Sequence, residues 1–213
     1  MSKSNLAVKE ELENVAVEDV IIINQNEQEN YRPSKDKEIR VNNNLSYLIM
    51  KKIVDIIAGI LGTILLVPLI AVVWFIRICL HENDGPLFFE QIRIGKNGKQ
   101  FRMYKFRTMV MEADEKLYRY LEENPEAKKE YKKYKKLKHD PRITKLGNIL
   151  RKISLDEFPQ FVNILKGEMS LVGPRPYLYR EKEDLGEYYY NSITKVKPGI
   201  TGYWQVNGRN DVD

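Results

Sequence analysis

The longest apolar run in the chain predicts a membrane helix. Residues 56–76 carry no charged side chain, and the run is bounded by Asp55 and Arg77. At ~1.5 Å per residue, a helix of this length covers about 31 Å, which is enough to cross the hydrocarbon core of a bilayer. Pro68 lies near its middle, where proline removes a backbone hydrogen bond and bends a helix.

Basic residues flank both ends of this apolar run. Lys51 and Lys52 precede it, and Arg77 and Arg93 follow it. Because basic flanks favour the cytoplasmic side of a membrane, both ends are drawn to the same side. A re-entrant helix that kinks at Pro68 and returns satisfies this, whereas length alone favours a tilted span. The residues leave both open, and disfavour a buried core helix because little apolar mass remains to surround it.

The segments on either side of the run differ in character. Residues 1–44 are rich in Glu, Asn, Gln and Lys, which predicts a disordered tail. Residues 45–82 are the membrane segment, and residues 83–213 form a folded domain. Within that domain, residues 87–106 predict a β-hairpin around the glycine turn at 95–98. A phosphate loop at this turn is disfavoured, since a following helix and the Lys-Ser or Lys-Thr ending are missing.

Residues 110–138 predict charged helices interrupted at Asn124-Pro125. The second half carries seven lysines, interleaved with Tyr131, Tyr134 and Leu137 at helical spacing. It is either a solvated helix packed through its tyrosines or a basic amphipathic helix lying on anionic lipid. With the hairpin, these helices predict an α/β fold that is mainly helical: a membrane helix, amphipathic interfacial helices and a small domain.

Charge and rare residue types narrow the chemistry. The 213 residues include 35 Lys and Arg against 30 Asp and Glu, and residues 1–44 hold nine acids and six bases, so the remainder is clearly basic. A basic domain suits anionic headgroups or nucleotide phosphates, and the chain lacks a nucleic-acid-binding motif, so no nucleic acid is expected as a partner. Cys79 is the single cysteine, and His81 and His139 are the only histidines. A disulfide framework within the chain and a thiolate metal site are therefore excluded, and catalysis would use carboxylates.

Two adjacent carboxylates, Asp156 and Glu157, are candidate catalytic groups. Ser154 and Glu157 have the spacing of a capping box, which predicts a helix running to about Leu165. Asp156 would lie in the first turn, where the helix dipole favours an ionised carboxylate. Simple compensation of the dipole explains that position as well, so these residues alone leave a catalytic and a structural role open.

Several basic residues surround the carboxylates in the sequence and predict a phosphate site. Arg175 lies between Pro174 and Pro176, whose fixed φ angles hold the guanidinium rigidly, as bidentate phosphate recognition requires. Each of these bases alone would be an ordinary surface charge. Their concentration around two acids is harder to explain in that way. The basic candidates are Lys105, Arg107, Arg151 and Arg175.

Six motifs carry a resemblance to the bacterial sugar transferase family, whose members are monotopic phosphoglycosyl transferases, also called polyprenyl-phosphate sugar phosphotransferases. The resemblance covers about residues 48–209. In that family the membrane segment is a re-entrant helix broken at a proline, which Pro68 matches, although Val67 stands where the family usually has serine. The motifs are Lys105 to Met109, Asp140 to Thr144, Leu150-Arg151, Ser154 to Gln160, Lys166 to Pro176 and Lys197 to Gly202.

This resemblance implies a reaction and roles for the candidate residues. A sugar 1-phosphate would pass from a UDP-sugar to polyprenyl (undecaprenyl) phosphate, releasing UMP through a covalent aspartyl phosphosugar intermediate. Asp156 matches the nucleophilic aspartate, and Glu157 matches its partner, which is associated with proton handling. The same two carboxylates match the magnesium site, so Mg²⁺ is the expected cofactor. Arg151 and Arg175 match phosphate-binding arginines.

The resemblance extends to the remaining site residues and to the setting. Lys105 lies in the corresponding basic strand with Arg107 at its end, and Pro174-Arg175-Pro176 matches a motif implicated in nucleotide recognition. The expected location is the cytoplasmic face of the bacterial inner (plasma) membrane, with residues 83–213 as the catalytic domain. The reaction would be the first membrane step of exopolysaccharide or other glycoconjugate synthesis.

Expected partners are the UDP-sugar, polyprenyl phosphate and membrane lipids, with a homo-oligomer or downstream glycosyltransferases as further candidates. The alternative is a non-catalytic membrane-anchored scaffold or regulator of polysaccharide assembly, which would need the apolar run but not Asp156, Glu157 or Arg175. Family members commonly continue beyond the position of Asp213, so we expect a truncated C-terminus.

Overall fold

A computed structural model of the chain describes residues 44–82, 84–134 and 136–202. The tail predicted for residues 1–44 lies outside the described residues, apart from Asn44. The C-terminal end of the chain also lies outside them.

The apolar run is contained in helix α1, Leu45–Cys79, which has 35 residues. Asn44 caps its start by accepting a hydrogen bond from Ser46 N at 3.0 Å. The helix continues through Pro68. Within the described part of the chain, α1 alone is long and apolar enough to cross a membrane. At ~1.5 Å per residue it is about 52 Å long, well beyond what a bilayer core requires.

One stripe of α1 is buried against the folded domain. Gly59, Gly62, Leu66, Val73 and Arg77 lie on this stripe. The spacing of the stripe follows the helical period, so the contact extends along most of the helix on one side. The remaining sides present an exposed apolar surface of the kind that membranes or partners cover. This surface includes Ile53, Ile57, Ile60, Leu61, Ile64, Leu65, Val72, Trp74 and Phe75.

The predicted hairpin is confirmed. Strand β1, Phe88–Ile94, pairs antiparallel with β2, Gln100–Phe106, with Phe88 opposite Phe106. A short 3₁₀ turn connects them, in which Asn97 has φ 58° and Gly98 has φ 74°. These positive φ angles explain the turn chemistry, since Asn and Gly adopt them at low cost.

The interruption predicted at Asn124-Pro125 is also confirmed. Helix α2, Ala113–Glu123, ends there and α3, Pro125–Tyr134, begins. Asn124 Nδ2 donates to Tyr120 O at 2.8 Å and so caps the end of α2. Helix α3 buries none of its residues, and Tyr134 is exposed, so the packing of this helix through Tyr134 is not found.

The rest of the domain consists of short elements. Strands β3, Ser170–Val172, and β4, Gly199–Thr201, form a parallel pair, which the sequence did not predict. With the hairpin and the helices, this gives the mainly helical α/β fold that the sequence predicted. The elements are α4 (Lys145–Lys152), a 3₁₀ turn (Leu155–Glu157), α5 (Gln160–Leu165), β3 (Ser170–Val172), a 3₁₀ turn (Tyr179–Glu181), α6 (Lys182–Leu185), α7 (Glu187–Ile193) and β4 (Gly199–Thr201).

The domain has two hydrophobic clusters, and the first of them joins it to α1. The first contains Leu66 and Val73 of α1, Phe106 of β2, and Leu146 and Leu150 of α4. The second lies between β2, α5 and β3. Strand β2 therefore contributes to both clusters, which places its polar side chains next to the turn that follows α4. The second cluster consists of Phe101, Met103, Ile164 and Met169.

Candidate active site

The two candidate carboxylates lie in the 3₁₀ turn between α4 and α5. The capping box predicted from Ser154 and Glu157 is wrong: Ser154 has φ 61°, in the left-handed region, and its side chain makes no capping hydrogen bond. An N-cap needs extended backbone, which Ser154 does not have. Pro159 then precedes α5, which ends at Leu165, so a short helix replaces the single longer one predicted.

The two carboxylates have different surroundings. Asp156 is buried, with 8% of its surface exposed. Glu157 accepts a hydrogen bond from Lys105 Nζ at 3.0 Å, which ties the turn to strand β2. The two adjacent acids therefore have different neighbours. Lys105 compensates the charge of Glu157, whereas Asp156 interacts with a different cation.

That cation is Arg151, in the last turn of α4. Its Nε donates to the buried hydroxyl of Thr108 at 2.8 Å, which fixes the guanidinium. Desolvation lowers the pKa of Arg151, and the carboxylates of Asp156 and Asp140 oppose this shift. The hydrogen bond to Thr108 thus holds a positive charge at the end of α4, and this charge interacts electrostatically with Asp156.

The start of α4 is fixed against the segment that follows β2. Thr144 caps the helix by accepting from Gly147 N at 2.9 Å, and Thr144 N donates to Thr108 O at 3.0 Å. A Cβ on Gly147 would lie 2.1 Å from Thr108 O, so no larger residue fits there. The close approach of these backbones places Arg151, one turn further on, beside Thr108.

Asp140 and Arg142 form a structural ion pair near α4. Arg142 Nε and Nη2 donate to the Asp140 carboxylate at 2.9 and 2.7 Å. Burial acts to raise the pKa of Asp140, but the hydrogen bonds from Arg142 outweigh it and hold the pKa below its ordinary value. Arg142 is therefore engaged within its own loop.

The loop around Arg175 is held by its main-chain carbonyls. Gly199 N donates to Pro174 O at 2.9 Å, Arg93 Nη1 to Pro176 O at 3.1 Å, and Ile94 N to Tyr177 O at 2.9 Å. The side chain of Arg175 is exposed between these fixed points. Since the backbone is pinned from both flanks, the guanidinium can be presented without ordering a flexible loop.

Arg93 is a site residue that the sequence marks only as a basic flank of the apolar run. It is buried, and its Nη2 donates to Gln91 Oε1 at 2.5 Å. Burial lowers the pKa of Arg93, with Glu181 opposing, Arg175 lowering it further and Glu157 opposing. Arg93 therefore contacts the Arg175 loop directly, through Pro176 O, and interacts electrostatically with Glu157 of the carboxylate turn. The sequence carries no signal for this burial, because Arg93 alternates with Ile92 and Ile94 as an outward-facing strand residue would.

Two other candidates lie elsewhere. Arg107 Nε donates to Pro86 O at 2.9 Å, and its guanidinium lies over the ring of Phe89, so it contacts the start of the hairpin. Pro68 is exposed on α1. The structure thus joins Lys105 to Glu157 by an ion pair, and electrostatic interactions connect Arg151 with Asp156 and Arg93 with both Glu157 and Arg175.

Sequence comparisons identify the family. The family model described as bacterial sugar transferase matches residues 46–213. The chain belongs to the bacterial sugar transferase family. It is 45% identical over 181 residues to the undecaprenyl-phosphate galactose phosphotransferase of Salmonella typhimurium, covering 82% of this chain and 37% of that protein.

Two further relatives show how the match varies. The chain is 43% identical over 167 residues to the exopolysaccharide production protein ExoY of Sinorhizobium fredii, covering 77% of this chain and 71% of that protein. It is 37% identical over 169 residues to the UDP-glucose:undecaprenyl-phosphate glucose-1-phosphate transferase of Escherichia coli, covering 78% and 32%. The chain spans about 37% of the length of the Salmonella protein and of an uncharacterised sugar transferase from Haemophilus influenzae.

Asp156 and Glu157 would suit Mg²⁺ only together with further oxygen ligands. Across the described residues, no group of three or more His, Cys, Asp or Glu is placed to hold a metal ion. Asp156 and Glu157 supply two carboxylates, and Mg²⁺ is commonly held by one or two carboxylates with substrate phosphates and water. Two carboxylates therefore fit Mg²⁺ only when other ligands, such as phosphate oxygens and water, complete its coordination.

Proposed function

We propose that this chain is a phosphoglycosyl transferase that moves a sugar 1-phosphate from a UDP-sugar to polyprenyl phosphate. The observation that carries the proposal is the buried Asp156 carboxylate, which lies beside the fixed Arg151 and next to Glu157, whose charge Lys105 compensates. The names of the Salmonella and Escherichia relatives support this class of reaction.

In the first step, a carboxylate oxygen of Asp156 attacks the donor phosphorus that bears the sugar. The bond from that phosphorus to the bridging oxygen breaks, and UMP leaves with the electron pair. In the second step, a phosphate oxygen of the lipid attacks the same phosphorus, the bond to Asp156 breaks, and the carboxylate is regenerated. The product is a polyprenyl diphosphate sugar.

Charge repulsion favours two steps over direct transfer. Bringing the lipid phosphate against the sugar diphosphate would place anions about 4 Å apart, which costs roughly 4 kcal/mol for each pair of unit charges at an effective dielectric near 20. If Asp156 reacts first and UMP departs, the two anionic substrates need never meet. Arg151 and Arg175 would bind donor oxygens, and Arg175 in its pinned loop would orient the diphosphate.

Asp156 and Glu157 would hold Mg²⁺, which would neutralise part of the charge on the donor diphosphate and on the departing UMP. The protein's own cations act in the same direction. Lys105 compensates Glu157, so that a second full negative charge does not face the donor beside the nucleophile.

Helix α1 would attach the domain to the cytoplasmic face of the inner membrane without crossing it. On the N-terminal side of Pro68, Gly59 and Gly62 pack against α5, and on the C-terminal side Val73 packs in the first hydrophobic cluster. Since one domain contacts both halves, a crossing helix would pull that domain into the bilayer. A re-entrant or in-plane arrangement leaves the domain at the depth of the acceptor phosphate.

The test is UMP release from a panel of UDP-sugars with undecaprenyl phosphate and Mg²⁺. We expect release from at least one donor, a sugar-phosphate mass adduct on Asp156, and loss of both in Asp156→Asn. Glu115→Gln, which changes an exposed acid on α2, is the matched control and should leave release unchanged. A folded protein that binds membranes but releases UMP from no donor would contradict the proposal and favour a scaffold.

A further inference from the structure

Two charged residues of α1 contact strand β3 directly. Lys51 Nζ donates to Ser170 Oγ at 2.6 Å and to Val172 O at 2.9 Å. Asp55 Oδ1 accepts from Ser170 Oγ at 2.9 Å and from Leu171 N at 2.9 Å. Ser170 is completely buried, so its hydroxyl joins the lysine and the aspartate at one point. We use the name β3 clamp for the three residues Lys51, Asp55 and Ser170.

The β3 clamp binds β3 from the side of α1, whereas the β4 segment binds it through other main-chain groups. Ser170 N donates to Pro198 O and Gly173 N donates to Thr201 O, both at 2.9 Å. The clamp uses other main-chain groups of the strand, Leu171 N and Val172 O. A strand of three residues is thereby fixed by a parallel neighbour and by charge-assisted hydrogen bonds from α1.

Strand β3 runs directly into the loop that carries Arg175. Gly173 is the single residue between Val172 and the first proline of the loop. A Cβ on Gly173 would lie 2.5 Å from Lys197 O, so this connection is tightly packed. With prolines on both sides of Arg175, little slack remains between strand and guanidinium. A shift of β3 would therefore be transmitted to Arg175.

Attachment of α1 to the domain does not require the clamp's charges. Further along the helix, Gly59 packs against Leu165 through apolar contact alone. Placing Lys51 and Asp55 in a partly buried contact costs desolvation that apolar side chains would not incur. The adjacent Lys52 is exposed and can meet anionic lipid, whereas Lys51 is directed into the protein.

We infer that Lys51 and Asp55 are positioning residues that set β3, and through it Arg175, relative to Asp156. The seating of the membrane helix and the binding of the donor are thereby linked. The part of this inference that concerns the donor rests on the proposed function, whereas the part that concerns the loop does not.

Hydrogen exchange on the full chain in lipid nanodiscs tests the loop. Asp55→Ala removes the acceptor of Leu171 N, so deuterium uptake should rise across residues 170–177. Asp55→Asn keeps the Oδ1 acceptor and should restore most of the protection. Lys52→Met removes the neighbouring charge without touching β3 and should match the wild type. Unchanged uptake in Asp55→Ala would overturn the inference, whether or not the chain turns over any donor.

Donor kinetics test the link to Arg175. Asp55→Ala should raise the KM for the UDP-sugar by about tenfold, with vesicle binding unchanged. In an Arg175→Ala background the same change should add less than about twofold, since the clamp acts through that arginine. If the KM increases of Asp55→Ala and Arg175→Ala multiply in the double variant, the link is overturned. A KM increase that lost vesicle binding explains would also overturn it. A wild-type chain that is inactive with every donor would instead contradict the proposed function. The hydrogen-exchange result would still show whether the β3 clamp positions the loop.

Discussion

The Lys105 ammonium lies 3.0 Å from the Glu157 carboxylate, and this ion pair joins strand β2 to the turn that carries Asp156. The side chains are only 23% and 16% exposed, so water screens the pair less than it would at the surface. Residues 52 positions apart in the sequence thus meet at the candidate nucleophile.

Lys105→Met should lower both stability and activity. The change leaves the Glu157 carboxylate partly buried beside Asp156 without its lysine, which should cost about 1–3 kcal/mol. Thermal unfolding of the purified protein in detergent measures the loss. Lys99→Met, at an exposed lysine of the same hairpin, is the control. Adding Glu157→Gln to Lys105→Met should recover part of the stability but none of the activity. If the stability losses of the two single variants simply add in the double variant, the ion pair does not contribute to stability.

Arg93→Lys should weaken donor binding more than it slows the chemical step. Lysine keeps the charge, but it lacks the planar fork that lets Arg93 reach Pro176 O and Gln91 together. The loop around Arg175 should loosen, and the KM for the UDP-sugar should rise about tenfold with a smaller change in kcat. Arg102→Lys, on the same hairpin but exposed, should behave as the wild type. Equal KM values for the two variants would exclude this role for Arg93.

The protein should lose the stability that the Asp140 ion pair contributes when the pH is lowered. Because the folded-state pKa of Asp140 is lowered, its ion pair contributes fully above the carboxyl's ordinary pKa of 3.8 and is lost as the pH falls towards the lowered value. Unfolding followed between about pH 5 and pH 3 should show this decline. Asp140→Asn should be less stable at the upper end and should lose less stability across the range. Parallel curves for the two proteins would contradict the assignment.

Cys79 offers a direct test of how α1 meets the membrane. It is exposed at the end of the helix, and it is the single cysteine of the chain. An impermeant maleimide should react with Cys79 in inside-out vesicles and not in right-side-out vesicles. In the Cys79→Ser, Ser46→Cys protein, the cysteine at the start of α1 should show the same sidedness. Opposite sidedness of the two positions would establish a span.

Local chemistry explains which elements the sequence could predict. The hairpin was predictable because Asn97 and Gly98 adopt the positive φ angles that its turn needs. The break between α2 and α3 was predictable because proline follows Asn124. Both features depend on neighbouring residues, so the pattern of the sequence contains them.

Features that depend on distant contacts were not predictable in the same way. The left-handed backbone of Ser154 contradicts its capping-box spacing, and strands as short as β3 and β4 carry no periodic signal. Arg93 resembles a membrane flank until its contact with Pro176, 83 residues later, is known. The candidate carboxylates could be found from the sequence, whereas the groups that hold them in place required the fold.

Two glycines determine how α1 can be seated. A Cβ on Gly59 would lie 2.8 Å from Leu165 Cδ2, and one on Gly62 would lie 2.2 Å from the ring of Phe161. The ridge formed by Phe161 and Leu165 therefore fits α1 in a single rotational setting. The face that α1 turns to lipid is then chosen by the protein's own packing, so the height of Asp156 above the lipid tails should stay constant in bilayers of different thickness.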